Sequence, residues 1–197
     1  MKFETKRLIL RPPKKSDWKD ILDGAKDLEV SRNTLLIPHP YKKKDAVWFI
    51  NHSIKKWKDK NQKDYPFFIE LKSEKKVIGV TEINVKHSKK AGTGSWISKK
   101  YWKKGYITEA KIPLIDFVFN KLKLRRLESE AFKDNKASNN MSKKLGYVCE
   151  GTKRKSDISK ADGKLHDTNV YGLLKEEWKK TRPKLIKEIK KRQYGKR

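Results

Sequence analysis

Acidic residues are scarce: 24 Asp and Glu stand against 52 Lys and Arg in 197 residues, a formal net charge of +28. A surface of that sign attracts polyanions such as RNA, the ribosome, anionic lipid or a phosphorylated small molecule, and it repels polyamines and other cations over long range. Cysteine is scarcer still. The single Cys149 excludes an intramolecular disulfide and any multi-cysteine metal site, fits a reducing compartment, and reads as a small buried hydrophobe. The four histidines, His39, His52, His87 and His166, are scattered without metal-ligand spacing, so no metal site is expected. Long apolar runs are missing too. "MKFETKRLILRPP" lacks the apolar core of about 7–15 residues that a secretory signal carries, and no run approaches the ~20 residues of a membrane span. The expectation is a soluble, cytoplasmic protein with no membrane partner. Nothing repeats at a fixed period, which excludes a solenoid.

Aromatic residues are plentiful, with six Trp, seven Tyr and seven Phe spread along the chain, and that argues against wholesale disorder. The length suits one domain with a sizeable core. "KRLILR" alternates as a half-buried strand and stops at Pro12 and Pro13. Ser16 and Asp17 then stand at a helix start whose apolar face is Ile21, Leu22 and Ala25. Beyond the irregular "LIPHPY", Val47, Ile50, Ile54 and Trp57 share one helical face. "PFFIEL" and "KVIGVTEINV" are predicted to form a hairpin, and "GTGSWIS" a further strand. The helix predicted in "ITEAKIPLIDFVFNKL" contains Pro113, which should kink it. "RRLESEAF" is a strand, "DNKASNNMSKKLGY" a short helix capped by Asn135 or Ser138 and ended by Gly146, and "YVCEG" and "HDTNVYGLL" are strands facing each other across "ADGK". These elements define a domain over residues 1–178. Residues 179–197, with ten Lys or Arg and the single acid Glu188, read as a basic tail, helical around "PKLIKEIKKR", that is solvated or polyanion-seeking.

The stretch "YWKKGYITEA" joins a strand to a helix through a glycine turn. Such a turn leaves backbone N–H groups unpaired at the positive end of the helix dipole, a geometry suited to pyrophosphate, with Gly105 allowing close approach and Lys103 and Lys104 adding charge. By itself one glycine among lysines is more often an ordinary basic turn.

The same stretch resembles the acetyl-coenzyme A loop of the GNAT superfamily of N-acetyltransferases, in the RimJ/RimL-type branch, where it typically reads Tyr-Trp-Gly-Lys-Gly-Tyr-Ala-Thr-Glu-Ala. "ETKRLILRP", "IPHPYKKKDAVWFI", "DNKASNNMSKKLGYVCEG" and "HDTNVYGLLKEEW" are similar to other segments of that branch, in the same order, from about residue 3 to 178. The resemblance implies a mixed α/β (α+β) fold whose largely antiparallel sheet splays between two central strands, with acetyl-CoA in the gap. It assigns to cofactor binding the backbone near Trp96 and Ile97, the loop Trp102, Lys103, Lys104, Gly105, Tyr106 and Ile107, the pantetheine contact Asn135, and Lys143 or Lys144 near the adenosine phosphate. Two positions depart from the pattern. Lys103 replaces a glycine, costly if the backbone there needs positive φ, and Ile107 replaces glycine or alanine and is expected to crowd the cofactor.

Transfer of an acetyl group to an amine needs a neutral nucleophile, a donor to the developing oxyanion and a proton for the departing thiolate. The carbonyl contact is expected from a backbone amide near Ile97. The resemblance makes Ser138 the acid, against the plain reading of a helix N-cap. Asp157, expected in a loop after "YVCEG", and Glu82 on a central strand are the candidate bases, each also readable as an ordinary surface acid, with a water chain as the alternative. The acceptor implied is the α-amine of a protein N-terminus. The alternatives are a small-molecule amine, or a catalytically degenerate protein of this fold that binds RNA or ribosomes.

Overall fold

The computed structural model describes residues 1–87 and 89–194. Its eight strands form one sheet: β1 (Phe3–Glu4), β2 (Leu8–Arg11), β3 (Asp64–Leu71), β4 (Lys76–Lys86), β5 (Lys90–Ile97), β6 (Arg126–Phe132), β7 (Val148–Ile158) and β8 (Leu165–Leu174). The helices are α1 (Trp18–Ala25), α2 (Leu28–Ser31), α3 (Lys43–Lys58), α4 (Tyr106–Asp116), α5 (Lys136–Lys144) and α6 (Lys175–Tyr194). The strand order is β1-β2-β3-β4-β5-β6-β8-β7, and β5–β6 is the parallel pair in an otherwise antiparallel sheet. This is the mixed α/β architecture expected.

The parallel pair holds the feature that matters most. It has only the rungs Lys90↔Arg126, Ala91↔Leu127 and Gly92↔Glu128. Past Gly92, β5 continues to Ile97 and β6 continues from Glu128 to Phe132 without pairing, so the sheet opens between them.

Two apolar clusters explain why β3 and β4 carry long hydrophobic runs, since both their faces are covered. On one face, Ile21 of α1 and Ala46 and Ile50 of α3 pack on Phe68, Val77 and Val80. On the other, Ala110, Leu114 and Ile115 of α4 join Phe67, Ile69, Ile83 and Leu127. Each fully buried side chain of this size contributes ~1.5–3 kcal/mol of transfer free energy.

Local differences from the sequence reading have physical causes. The buried stripe of α3 starts at Ala46 and runs through Ile50 and Ser53, while Val47 is turned outward. Pro113 lies inside α4, and the helical bonding widens to a π turn at Phe117–Lys121 directly after it. Cys149 is exposed rather than buried, because β7 is an uncovered edge strand. β7 is also longer than expected, so Asp157 belongs to a strand and not to a loop.

The largest correction concerns the tail. Residues expected to be solvated continue the helix α6, which is amphipathic: Trp178 and Leu185 are buried in the main core, Arg182 pairs with Asp116, and Glu188 pairs with Lys144. The charge count concealed an apolar stripe of only a few residues. Residues 195–197 lie outside the described residues.

Candidate active site

The turn that feeds α4 is built around two left-handed residues, Lys103 at φ 61° and Gly105 at φ 76°, with Gly105 as the N-cap of α4. The expected cost of a lysine at 103 is therefore real. The first backbone bond of the helix runs from Glu109 N to Gly105 O, so the amides of Tyr106, Ile107 and Thr108 stand ahead of the ladder at the positive end of the dipole. Lys103 and Lys104 are exposed beside them. Ile107 is partly buried and packs against the main core.

Several contacts hold this turn in place. The Trp102 indole donates to Ile97 O at 2.8 Å, closing the turn onto the end of β5. Arg7 Nη1 donates to Lys104 O at 3.1 Å, and its guanidinium lies 4.2 Å over the Tyr106 ring. The Glu109 carboxylate, 3% exposed, accepts from Arg7 Nε, Arg7 N and Thr5 Oγ1. Tyr101, beneath the turn, donates to Glu74 at 2.7 Å, and burial together with that carboxylate pushes its phenol up to about 12.

Trp96 faces α1 and α3. A Cβ on Gly24 of α1 would lie 2.9 Å from its ring and 2.3 Å from Ser98 Oγ, so the helix approaches this closely only because residue 24 has no side chain. Strand alternation puts Gly92 and Gly94 on the same face as Trp96. Glu82, directly across from Gly94 on β4, completes that face: its Oε1 would be 3.8 Å from a Cβ at Gly94, and Lys56 Nζ lies 3.9 Å from its Oε2. The result is a bare floor at Gly94 beside a half-exposed carboxylate, at the edge of the opened gap, while the Lys86 side chain lies over Gly92, its Cε 3.3 Å from where a Cβ would stand.

Across the gap, Asn135 is the N-cap of α5. Its Oδ1 accepts from Ser138 N at 3.0 Å and its Nδ2 donates to Asn33 O at 3.3 Å. Capping thus belongs to Asn135, and the Ser138 hydroxyl takes no part in it. Lys143 is exposed, and Lys144 is engaged by Glu188 at 2.6 Å.

The two candidate bases are not brought together. Asp157 pairs with His166 at the far end of the β7–β8 ladder, two strands beyond β6, whereas Glu82 sits opposite Gly94. The hydrogen bond from Ser156 Oγ, at 2.6 Å, holds the Asp157 carboxyl below its usual range, which weakens it as a proton acceptor. His166 stacks on Phe132 with ring centroids 4.1 Å apart, and its Nε2 is buried with no hydrogen-bond partner among the described residues.

Sequence reasoning missed two polar clusters. Asn139, buried, donates to Phe132 O and Asn135 O and accepts from Asn169 Nδ2 and Tyr171 OH, tying α5 to β6 and β8. Lys111 is buried beneath β5. The available signal for it was a lysine on the Ile107–Leu114 stripe of a helix that is otherwise apolar there. A separate polar cleft of about 560 Å³ is lined by Arg11, Asp17 and Glu70, and these three are spent on one another.

An open parallel rung, a strand edge running into a left-handed turn, and free amides at a helix start fit an acyl thioester whose arm lies along β5 and whose diphosphate meets the turn. Residues 7–148 match the family model "Acetyltransferase (GNAT) domain". The chain is 29% identical over 176 residues to "Uncharacterized N-acetyltransferase YoaA" of Bacillus subtilis (strain 168), covering 88% of this chain and 96% of that relative. Matches to other Bacillus relatives span from 49% to 99% of the relative's length. Among solved structures it is similar to the Microcin C7 self immunity acetyltransferase MccE in complex with acetyl-CoA and AMP, with TM-score 0.75, 24% identity and coverage of 86% of this chain and 93% of that one. It is also similar to the ribosomal-protein-S5-alanine acetyltransferase from Vibrio fischeri, with TM-score 0.73, 19% identity and coverage of 90% and 98%. No helix among the described residues is long and apolar enough to cross a membrane. With the opened gap and the matched domain in agreement, this chain belongs to the GNAT family and is an N-acetyltransferase that uses acetyl-CoA.

Proposed function

We propose that the chain acetylates the α-amine of a protein N-terminus by direct transfer, as in the RimJ/RimL-type branch. The observation that carries this reading is the bare main-chain floor at Gly94 beside the Glu82 carboxylate. An extended main chain fits over such a floor, and its terminal amine meets a carboxylate. A second support is the junction of the α2–α3 loop with the β7–β8 hairpin, where Lys160 N donates to Leu35 O and Ser159 Oγ to Thr34 O. The likeness to a ribosomal-protein acetyltransferase points the same way.

Acetyl-CoA, when bound, supplies the acetyl group as an activated thioester. In this reading the amides of residues 103–107 and the Lys103 and Lys104 side chains hold its diphosphate, Lys143 its adenosine phosphate, and Asn135 and the backbone at Trp96 and Ile97 its arm. The Ile97 amide is the donor to the developing oxyanion. Ser138 Oγ delivers a proton to the departing sulfur, and Glu82, ahead of Asp157, receives the proton from the amine.

The solvent-facing side of α6 favours a setting near RNA or the ribosome. Its exposed positions are Lys179, Lys180, Lys184, Lys187, Lys190 and Lys191, with Glu176 the sole acid among the exposed residues of the described helix. Charge reversal at Lys180, Lys184 and Lys187 should lower the salt slope of RNA binding and leave folding intact.

The reading is tested by incubating the protein with acetyl-CoA and a panel of free-N-terminal peptides, N-blocked lysine peptides, spermidine and an aminoglycoside, followed by mass spectrometry. Acetylation confined to peptide N-termini is the expected result. Acetylation of the small amines alone would overturn the acceptor assignment.

A further inference from the structure

In a protein that displays its lysines to solvent, Lys111 is the exception: on α4 it is 3% exposed, the one lysine buried among the described residues. Its Nζ donates to Thr93 Oγ1 at 2.5 Å and to Gly94 O at 3.3 Å. The Thr93 hydroxyl donates in turn to Glu82 O at 2.7 Å, so its one proton is spent and it acts only as an acceptor toward Lys111. Gly94 O also accepts from Thr81 Oγ1 at 3.3 Å.

Counting donors defines the protonation state that fits. Two acceptors face the nitrogen, and a neutral amine has two N–H groups, whereas an ammonium would bury a third N–H for which the described residues offer no further acceptor. Burial accordingly brings the amine down to about 7, against the opposing pull of the Glu82 charge. The other charges around α4 are committed elsewhere. Glu109 is held by Arg7 and Asp116 by Arg182, while Glu128 of β6 is held by Arg126, Lys86 and Lys90.

The place of this cluster in the sheet gives it meaning. Thr93 and Gly94 are the first two residues of β5 beyond the last rung with β6, where the gap begins. We propose that Lys111 is a positioning residue for acetyl transfer: its amine pins β5 at the point of departure from β6, and through Thr93 it fixes the Glu82 main chain on the acceptor side. This rests on the gap being the donor site, as argued above. Protonation keeps both donors but adds a buried charge and a third N–H, so the network is tightest above the folded pKa and is weakened as the pH falls through about 7.

The test begins with the unliganded protein. Nuclear magnetic resonance of the lysine ε-carbons should show Lys111 titrating near 7, apart from the other lysines near ~10.4. Hydrogen exchange at Thr93 and Gly94, corrected for intrinsic rates, should be slower at pH 8 than at pH 6 in the wild type. It should be fast at both pH values in Lys111→Met. Steady-state kinetics with one acceptor peptide follow. The wild-type profile of kcat/KM should bend downward below about pH 7, and Lys111→Met should lose the bend and on the order of tenfold in kcat/KM at pH 8. The pair Lys111→Met with Thr93→Val, which makes the contact apolar, should recover thermal stability without recovering the bend.

An ordinary titration of Lys111 would overturn the proposal, and so would wild-type kinetics at every pH in the double variant. A wild type that binds no acetyl-CoA would defeat the donor-site reading and the transfer half of the proposal with it, while the exchange data would still decide whether Lys111 fixes the strand.

Discussion

Arg7 Nε lies 2.7 Å from Glu109 Oε2, and this pair fastens the segment ahead of β2 to the first turn of α4. The carboxylate is buried and the guanidinium is partly exposed, with side-chain exposures of 4% and 31%. Removing the arginine leaves a buried acid short of a partner, so Arg7→Met should cost ~2–3 kcal/mol. Arg7 also holds the Lys104 carbonyl. Acetyl-CoA affinity should therefore fall along with the melting temperature, whereas an unaltered affinity would separate the pair from the turn.

Lys103 and Gly105 both adopt the left-handed conformation, but only glycine does so without strain. Lys103→Gly should raise stability by about 0.5–1 kcal/mol in urea unfolding. Gly105→Val should lower it by ~1–2 kcal/mol and abolish acetyl-CoA binding by calorimetry, since the cost is conformational and not a clash: the nearest atom to a Cβ there is Arg7 Nη2 at 3.8 Å.

Asn135 caps α5, accepting from the Ser138 amide, and the Ser138 hydroxyl takes no part in the cap. Asn135→Ala removes the cap of α5 and should cost ~1 kcal/mol. Ser138→Ala spares the cap and should change stability by less than ~0.5 kcal/mol while lowering kcat far more than the affinity for acetyl-CoA. Equal losses of stability in the two variants would return Ser138 to a structural role.

Glu128 sits on the last rung before the gap. Burial works to raise its pKa, but the bonds from Arg126, Lys86 and Lys90 outweigh it and hold the carboxyl at about 2, below the 4.5 of an unperturbed glutamate. A depressed folded pKa contributes stability that is present above the unfolded value and is lost as the pH falls from about 4.5 toward about 2. After allowance for solvent screening the contribution is on the order of 1–2 kcal/mol. Melting temperatures between pH 6 and 3 should fall less steeply in Glu128→Gln than in the wild type.

Leu185, 3% exposed on α6, should cost ~2–4 kcal/mol when changed to Ala, measured by denaturant titration. A loss below ~0.5 kcal/mol would mean that the helix contributes little to the core in solution.

Much of this arrangement is legible without coordinates. Leu8 and Leu10 alternate as a strand does, Asn135 stands three residues ahead of the amide it caps, and "YWKKGYITEA" carries a glycine where a turn must go left-handed, because these are rules of local geometry acting over a few residues. Other features depend on partners distant in sequence. The acidity of Glu109 is matched by Arg7, 102 positions away, and the buried amine of Lys111 is matched by Thr93 and Gly94 on another element.

By itself the sequence determined the kinds and order of the elements, the strand–turn–helix at "YWKKGYITEA", and the excess of positive charge. Only the tertiary structure decided that the basic tail packs into the core, that Asp157 and Glu82 lie apart, and that β5 leaves β6 after three rungs above a buried lysine. The reason is physical: local periodicity specifies which face of an element is apolar, but which polar groups share a low-dielectric interior is set by the packing of elements far apart in the chain.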